Sequence, residues 1–312
     1  TVFWLFMALL CMFGRDIGYI IRIRVLSGGS LSWGQAFRVI MLWEFTSAIT
    51  PSAVGGTSVA ILYVHKEGIS IGRSSAIVML TSFLDELYFI VMFPLLLLAV
   101  GFDNLFQVSM EDTFLEKGLR WFALVGYSLN FAYLLILPYG LFVNPRGLKW
   151  LLMRIFRIGF LKRWYRNIND LGTDIINGSK EIRSRGAGFW VKALSSTFLS
   201  WSSRYLVANA LVMAFFAVSD HLLLFARQLV MWIMMLVMPT PGGSGFSEII
   251  FSTYCADLIE VPVALQVGAA PLLAFLWRGV TYYPYLIIGS VIFPRWIASK
   301  FGGKGGRKRK AA

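Results

Sequence analysis

Pro239-Thr240-Pro241-Gly242-Gly243-Ser244-Gly245-Phe246-Ser247-Glu248 interrupts an apolar run at 222–238 and leads into another at 249–255. Proline removes a backbone donor and glycine lowers helical propensity, so no helix passes through this stretch unbroken. In a bilayer, a broken backbone is tolerated only where protein buries it or water reaches it. Far upstream Thr50-Pro51-Ser52-Ala53-Val54-Gly55-Gly56-Thr57-Ser58 repeats the pattern between apolar flanks. Two such breaks in corresponding places point to a midplane site at the interface of two repeats. Pro51, Pro239 and Pro241 are the expected breakers.

The composition fits. Of 312 residues 57% are hydrophobic and only 14% charged, with a mean hydropathy of +0.69; a soluble domain carries roughly 25% charged residues. Runs at 189–218 and 261–293 exceed the ~20 residues that cross hydrocarbon. The expected class is an all-α integral membrane protein, a polytopic helical bundle. The chain opens at Thr1 within an apolar run, without a basic n-region, so a signal peptide finds no support. Cys11 and Cys255 are isolated, and His65 and His221 belong to no ligand motif, so neither a metal nor a cofactor is expected.

The net charge of +13 collects in loops, which is how topology is set rather than how nucleic acid is bound. Residues 144–192 hold eleven Lys/Arg against three acids, and seven more follow from Arg295. Both regions are expected in the cytoplasm, and the acidic loop 102–118 outside. The order follows: a span over 2–21 reaching a basic turn at Arg22 and Arg24, with Arg15 and Asp16 snorkelling near its inner end; a re-entrant hairpin over 35–63 entered from the cytoplasm; and a long helix over 69–100. A connector over 119–143 returns, a span over 189–218 crosses outward past a turn at Ser219-Asp220-His221, and a second hairpin enters from outside. A last crossing over 261–293 is kinked at Tyr282-Tyr283-Pro284-Tyr285. The plan is one membrane domain: repeat one over 1–101, an inverted repeat two over 190–296, a basic amphipathic segment over 144–189 and a basic tail over 297–312. That segment and tail suit anionic inner-leaflet lipids.

Charge at the centre of a span costs ~2.5–3.5 kcal/mol on insertion scales. Asp85, Glu86, Arg204, Glu248 and Arg278 stand there, and the plain alternative to a site is internal pairing, for example Arg278 with Glu86. Half-helix amino termini after Gly55-Gly56 and Gly242-Gly243 would offer N–H groups and a positive dipole end. With Arg204 and Arg278 they suit an anionic group such as a lipid phosphate. The three carboxylates would balance the arginines, meet a cationic headgroup or carry a coupling proton. Trp121, Trp190, Trp201 and Trp277 read as interfacial anchors or packing. No Walker motif, His-Glu-x-x-His or Gly-x-Ser-x-Gly occurs, so no catalytic residue is assigned.

Pro239-Thr240-Pro241-Gly242-Gly243-Ser244-Gly245 with Glu248, then Arg278, Tyr282-Tyr283-Pro284 and Gly289, resembles the lysylphosphatidylglycerol synthase transmembrane (flippase-like, UPF0104) family. Thr50-Pro51-Ser52-Ala53-Val54-Gly55-Gly56, Lys66-Glu67-Gly68 and Asp85-Glu86 look like its first-half signature. The resemblance implies a bacterial inner-membrane protein similar to the flippase part of the multiple peptide resistance factor, without its soluble aminoacyl-transferring domain. Where many relatives carry an arginine after the first Gly-Gly, Thr57-Ser58-Val59 stands, so a lysyl lipid is not implied. The expected function is a lipid translocase for a phospholipid, glycolipid or polyprenyl-phosphate lipid. A membrane-embedded glycosyl- or aminoacyl-transferase, or an accessory scaffold for a soluble synthase, is the alternative. A homo-oligomer or a soluble lipid-modifying partner is compatible with either.

Overall fold

A computed structural model describes residues 1–50, 53–107, 113–155, 157, 169, 173, 176, 180, 184–235 and 240–301. Pro51 and Pro239, half of the segment 144–189 and the tail from 302 lie outside the described residues. The described chain is almost wholly helical. Helix α1 (Val2–Leu26) and α4 (Ile71–Val100) are both long and apolar enough to cross a bilayer. Between them run α2 (Trp33–Ile49) and α3 (Ala53–Lys66), packed on each other. The short α5 (Phe102–Phe106), α6 (Thr113–Pro138), a π turn at Tyr139–Val143 and α7 (Pro145–Ile155) follow.

The second half contains α8 (Ala187–Phe215), α9 (His221–Met235), α10 (Phe246–Tyr254), α11 (Gln266–Thr281) and α12 (Tyr283–Phe301). A two-residue antiparallel ladder, Ala217–Val218 with Ile259–Glu260, closes the turn between α8 and α9 against the segment after α10. Asp220 Oδ1 accepts from the Leu223 N–H at 2.9 Å and so starts α9. The pair α1 and α8 forms the most extensive helix contact, α2 packs on α12, and α4 touches α3, α6, α8 and α9. Cys11 and Cys255 are free thiols.

Several expectations change. Helix α1 does not stop at residue 21: it runs on to Leu26, carrying Arg22 inside the bundle, because a buried acid on α4 receives it. Arg15 does not snorkel; it is fully buried, ion-paired to Asp16 and Glu44 and stacked between Tyr19 and Tyr285. The expected kink near Tyr282 is a full break between α11 and α12, with Tyr282 at φ −129° and ψ −56°. Pro284 then sits in the first turn of α12, where its missing N–H costs nothing.

The first break lies at Thr50 rather than at Gly55-Gly56. Thr50 is extended (φ −94°, ψ 140°), as the residue before a proline tends to be. Helix α3 then runs straight through both glycines. Gly56 is used for close packing: a Cβ there would sit 2.0 Å from Ser47 Oγ and 2.9 Å from Ser47 Cα on α2. The loss of helical propensity at Gly56, ~1 kcal/mol, is the condition for α2 and α3 to lie that close.

Candidate functional site

The polar side chains converge on one cavity of about 230 Å³ between α1, α2, α4, α8, α9 and α11. Three arginines, Arg22, Arg204 and Arg278, and three carboxylates, Glu44, Asp85 and Glu86, line it. So do Thr50 from the first break and Gly242 and Gly243 from the second. The two breaks lie close together: a Cβ on Gly242 would sit 3.1 Å from Ala48 O, the carbonyl that also accepts from the Tyr282 hydroxyl at 2.9 Å.

Asp85 is satisfied from three sides. Arg22 reaches both its oxygens, one of them at 3.2 Å, and Trp201 Nε1 donates at 2.6 Å. Arg22, 3% exposed, also donates to Thr197 Oγ1 at 3.3 Å and lies over the Tyr19 ring. A guanidinium and a carboxylate share charge and donor geometry well enough to be tolerated away from water. The pair locks α1 to α4 and, through Trp201, to α8.

Arg278 is paired, but with Glu248 and not with Glu86. Its Nε donates to Glu248 Oε1 at 2.9 Å, while Nη2 donates to Gly242 O and to Ser244 Oγ, each at 3.0 Å. Its guanidinium stacks 3.8 Å from the Tyr282 ring centroid. Glu248 in turn accepts from Gly245 N at 2.7 Å and from Ser247 Oγ at 2.9 Å. The amino end of α10 is thus capped by its own Glu248 rather than left open. Gly242 has φ +56°, a conformation that side chains rarely adopt, and a Cβ there would lie 2.3 Å from the Tyr282 ring and 3.1 Å from Ala48 O. Gly243 (φ +68°) and Gly245 (φ +83°) complete the turn. Pro241 supplies the carbonyl that accepts from Ser244 N at 3.0 Å. One arginine therefore organises the whole turn.

Arg204 differs. Its guanidinium lies 4.4 Å from the Trp232 ring centroid and 5.5 Å from that of Trp201, and among the described residues it has no hydrogen bond and no ion pair. Glu86 is its counterpart in this respect: its Oε2 is buried without a hydrogen-bond partner, and no ion pair reaches it from the described residues.

The sequence reading missed Arg22, Arg15 and Glu44. Arg15, Tyr19 and Arg22 fall at steps of four and three, one face of a helix, and that spacing was the available signal. Trp201, Trp277, Tyr282 and Tyr285 also line the cavity, so they are not interfacial anchors; Trp121, 69% exposed, keeps that reading. Among the described residues, Gly56 is not part of the cavity wall and Thr57 is. No three His, Cys, Asp or Glu side chains converge as a metal site among the described residues.

A second polar cluster lies away from the cavity. Glu67, after α3, accepts from Arg38 of α2 at 3.3 Å and from Lys300 and Trp296 of α12 at 3.1 and 3.2 Å. Burial alone would push its carboxyl up, but the Lys300 and Arg38 donors outweigh it and hold the carboxyl below the usual range.

Comparison with known proteins gives two matches. Residues 1–289 match the family described as the lysylphosphatidylglycerol synthase TM region. A UPF0104 membrane protein of Archaeoglobus fulgidus is 25% identical over 288 residues, covering 87% of this chain and 80% of that protein. No solved structure matches.

Proposed function

The chain belongs to the lysylphosphatidylglycerol synthase TM region family of membrane proteins, and on that premise we propose that it is a lipid translocase whose headgroup site is the cavity around Arg204. The observation that carries this reading is the state of Arg204. A guanidinium between helices of a membrane protein costs several kcal/mol unless something answers its charge. Arg22 and Arg278 are answered by Asp85 and Glu248; among the described residues Arg204 is held only against the faces of Trp201 and Trp232. An indole pair worth ~0.5–2 kcal/mol positions the cation without neutralising it, which suits a phosphate arriving from outside the protein.

Volume supports a headgroup rather than a whole lipid. About 230 Å³ is below the ~300–1,000 Å³ of sites that enclose a drug-sized ligand, so acyl chains would stay in the bilayer while the polar head passes. The finer architecture belongs to the same proposal. Helices α2 and α3 form a hairpin entering from the cytoplasm, and α9 and α10 one entering from outside, in repeats of opposite sense around the shared site. The basic segment 144–189 and the carboxyl terminus face the cytoplasm, and the membrane is the cytoplasmic (inner) one. Arg278, Glu248, Gly242 and Gly243 shape the wall; Asp85 holds Arg22.

The test is transport of a fluorescent phospholipid across liposomes containing the purified chain. Arg204→Gln removes the charge while keeping a polar side chain over Trp232. The expected result is loss of translocation with an unchanged melting profile in detergent. Translocation by Arg204→Gln at the wild-type rate would exclude this cavity as the headgroup site.

A further inference from the structure

Most of the cavity's charges are paired. Arg22 meets Asp85, Arg278 meets Glu248, and Glu44 shares Arg15 with Asp16. Of the charges that line the cavity, one cation, Arg204, and one carboxyl, Glu86, have no ion-pair or hydrogen-bond partner among the described residues. Glu86 follows Asp85 directly on α4, yet the two are treated oppositely: Asp85 receives Arg22 and Trp201, while Glu86 Oε2 is buried and receives nothing. An ionised carboxylate with one oxygen buried and met by no donor costs more than a neutral carboxylic acid in the same place.

We infer that Glu86 is a proton-binding site and that the proton and the phosphate-bearing group at Arg204 bind this cavity cooperatively. The step is a simple protonation: one Glu86 oxygen takes a proton from water that enters the cavity, and the carboxylate loses its charge. The charged and titratable groups that surround the same space are Tyr19 and Arg22 from α1, Glu44 from α2, and Asp85 beside it on α4. Arg204 from α8, Arg278 from α11, Tyr282 and Tyr285 complete the set. With Glu86 ionised, the three lining arginines face three lining carboxylates, and an incoming anion meets no net attraction. With Glu86 protonated the wall carries one uncompensated positive charge, at Arg204, where the anion arrives. Such coupling is reciprocal, and couplings of this kind amount to ~5–150-fold in affinity.

This rests on the reading of the cavity as a headgroup site, and the experiment separates the two. The full chain in nanodiscs is titrated with dihexanoyl phosphatidylglycerol and, separately, with inorganic phosphate, read from the tryptophan fluorescence that Trp201, Trp232 and Trp277 supply. Moving from alkaline to mildly acid buffer should tighten binding about tenfold; Glu86→Gln should bind tightly at both, and Glu86→Asp should keep the pH response. Infrared difference spectra between the same buffers should show a carboxylic-acid carbonyl band that Glu86→Gln lacks. Binding that ignores pH in the wild type, or a spectrum unchanged in Glu86→Gln, overturns the inference. If both effects appear while labelled lipid stays in its leaflet, the proton site stands and the translocase reading falls. Equal affinity for phosphate and for the lipid would assign the site to the phosphate group alone.

Discussion

Removing Asp85 should harm this protein more than removing Arg22, although the two form one ion pair. Asp85→Asn leaves Arg22 buried, 3% exposed, with its charge unanswered. A guanidinium cannot shed its proton in a protein, so the cost is that of an orphaned buried charge, ~3–5 kcal/mol. Arg22→Met leaves Asp85, whose side chain is 22% exposed against 4% for that of Arg22 and which keeps the 2.6 Å bond from Trp201 Nε1. Its cost is then nearer that of a lost charged hydrogen bond, ~1.5–3 kcal/mol. The double variant Arg22→Met/Asp85→Asn has no buried charge at either position and should recover most of the loss. Chains of 150–250 residues lose roughly 2–4 °C per kcal/mol, and a longer chain less. The order to look for in detergent, by fluorescence-monitored thermal unfolding, is therefore Asp85→Asn lowest by something near 5–10 °C, then Arg22→Met, then the double variant. Additive losses in the double variant, or Asp85→Asn as stable as Arg22→Met, would refute the pairing and with it the anchoring of α1 to α4.

Two more outcomes follow from the geometry. Gly242→Ala places a Cβ 2.3 Å from the Tyr282 ring at a φ of +56°, so backbone strain of ~1–2 kcal/mol adds to a steric clash; it should melt lower than Tyr282→Phe, which loses only the hydrogen bond to Ala48 O, ~0.5–1.5 kcal/mol. Glu67 has a lowered carboxyl pKa, so its stabilisation is complete above the ordinary glutamate pKa and fades as pH falls through the lowered value; wild-type melting should drop in that acid window while Glu67→Gln, lower at neutral pH, stays flat across it.

How far the residues announced this arrangement depends on what surrounds them. Asp85, Glu86, Arg204 and Arg278 were legible because a charge stands out in an apolar run, where its cost demands a reason. The turn around Gly242 was legible because only glycine accepts its positive φ without strain. Arg15 and Arg22 were not, since a basic residue near the end of an apolar run has a cheap alternative in snorkelling, and only the acids opposite, Glu44 on α2 and Asp85 on α4, decide between them. Gly55-Gly56 misled for a related reason. Local propensity says that two glycines loosen a helix, but Ser47 across the α2–α3 contact needs the space a side chain would fill.

The pairings also explain why the cavity stays open. Each joins helices that an apolar interface would let slide together: Arg15 with Glu44 ties α1 to α2, Arg22 with Asp85 ties α1 to α4, and Arg278 with Glu248 ties α11 to α10. A buried ion pair is weak evidence for stability, because desolvation offsets most of the Coulomb gain, and well-packed apolar residues of equal volume often hold better. What the pairs do that apolar residues would not is fix direction: each guanidinium has at least two nitrogens committed, those of Arg22 both to Asp85, those of Arg278 to Glu248, Gly242 O and Ser244, and those of Arg15 to Glu44 and Asp16, and so resists rotation and shear. In a molecule with leucine and phenylalanine to spare, three such pairs around one space keep polar walls apart. It follows that replacing all three with apolar partners should raise the melting temperature or leave it unchanged while abolishing lipid movement. A triple apolar variant that still transported lipid would show that the pairs are not what keeps the cavity open.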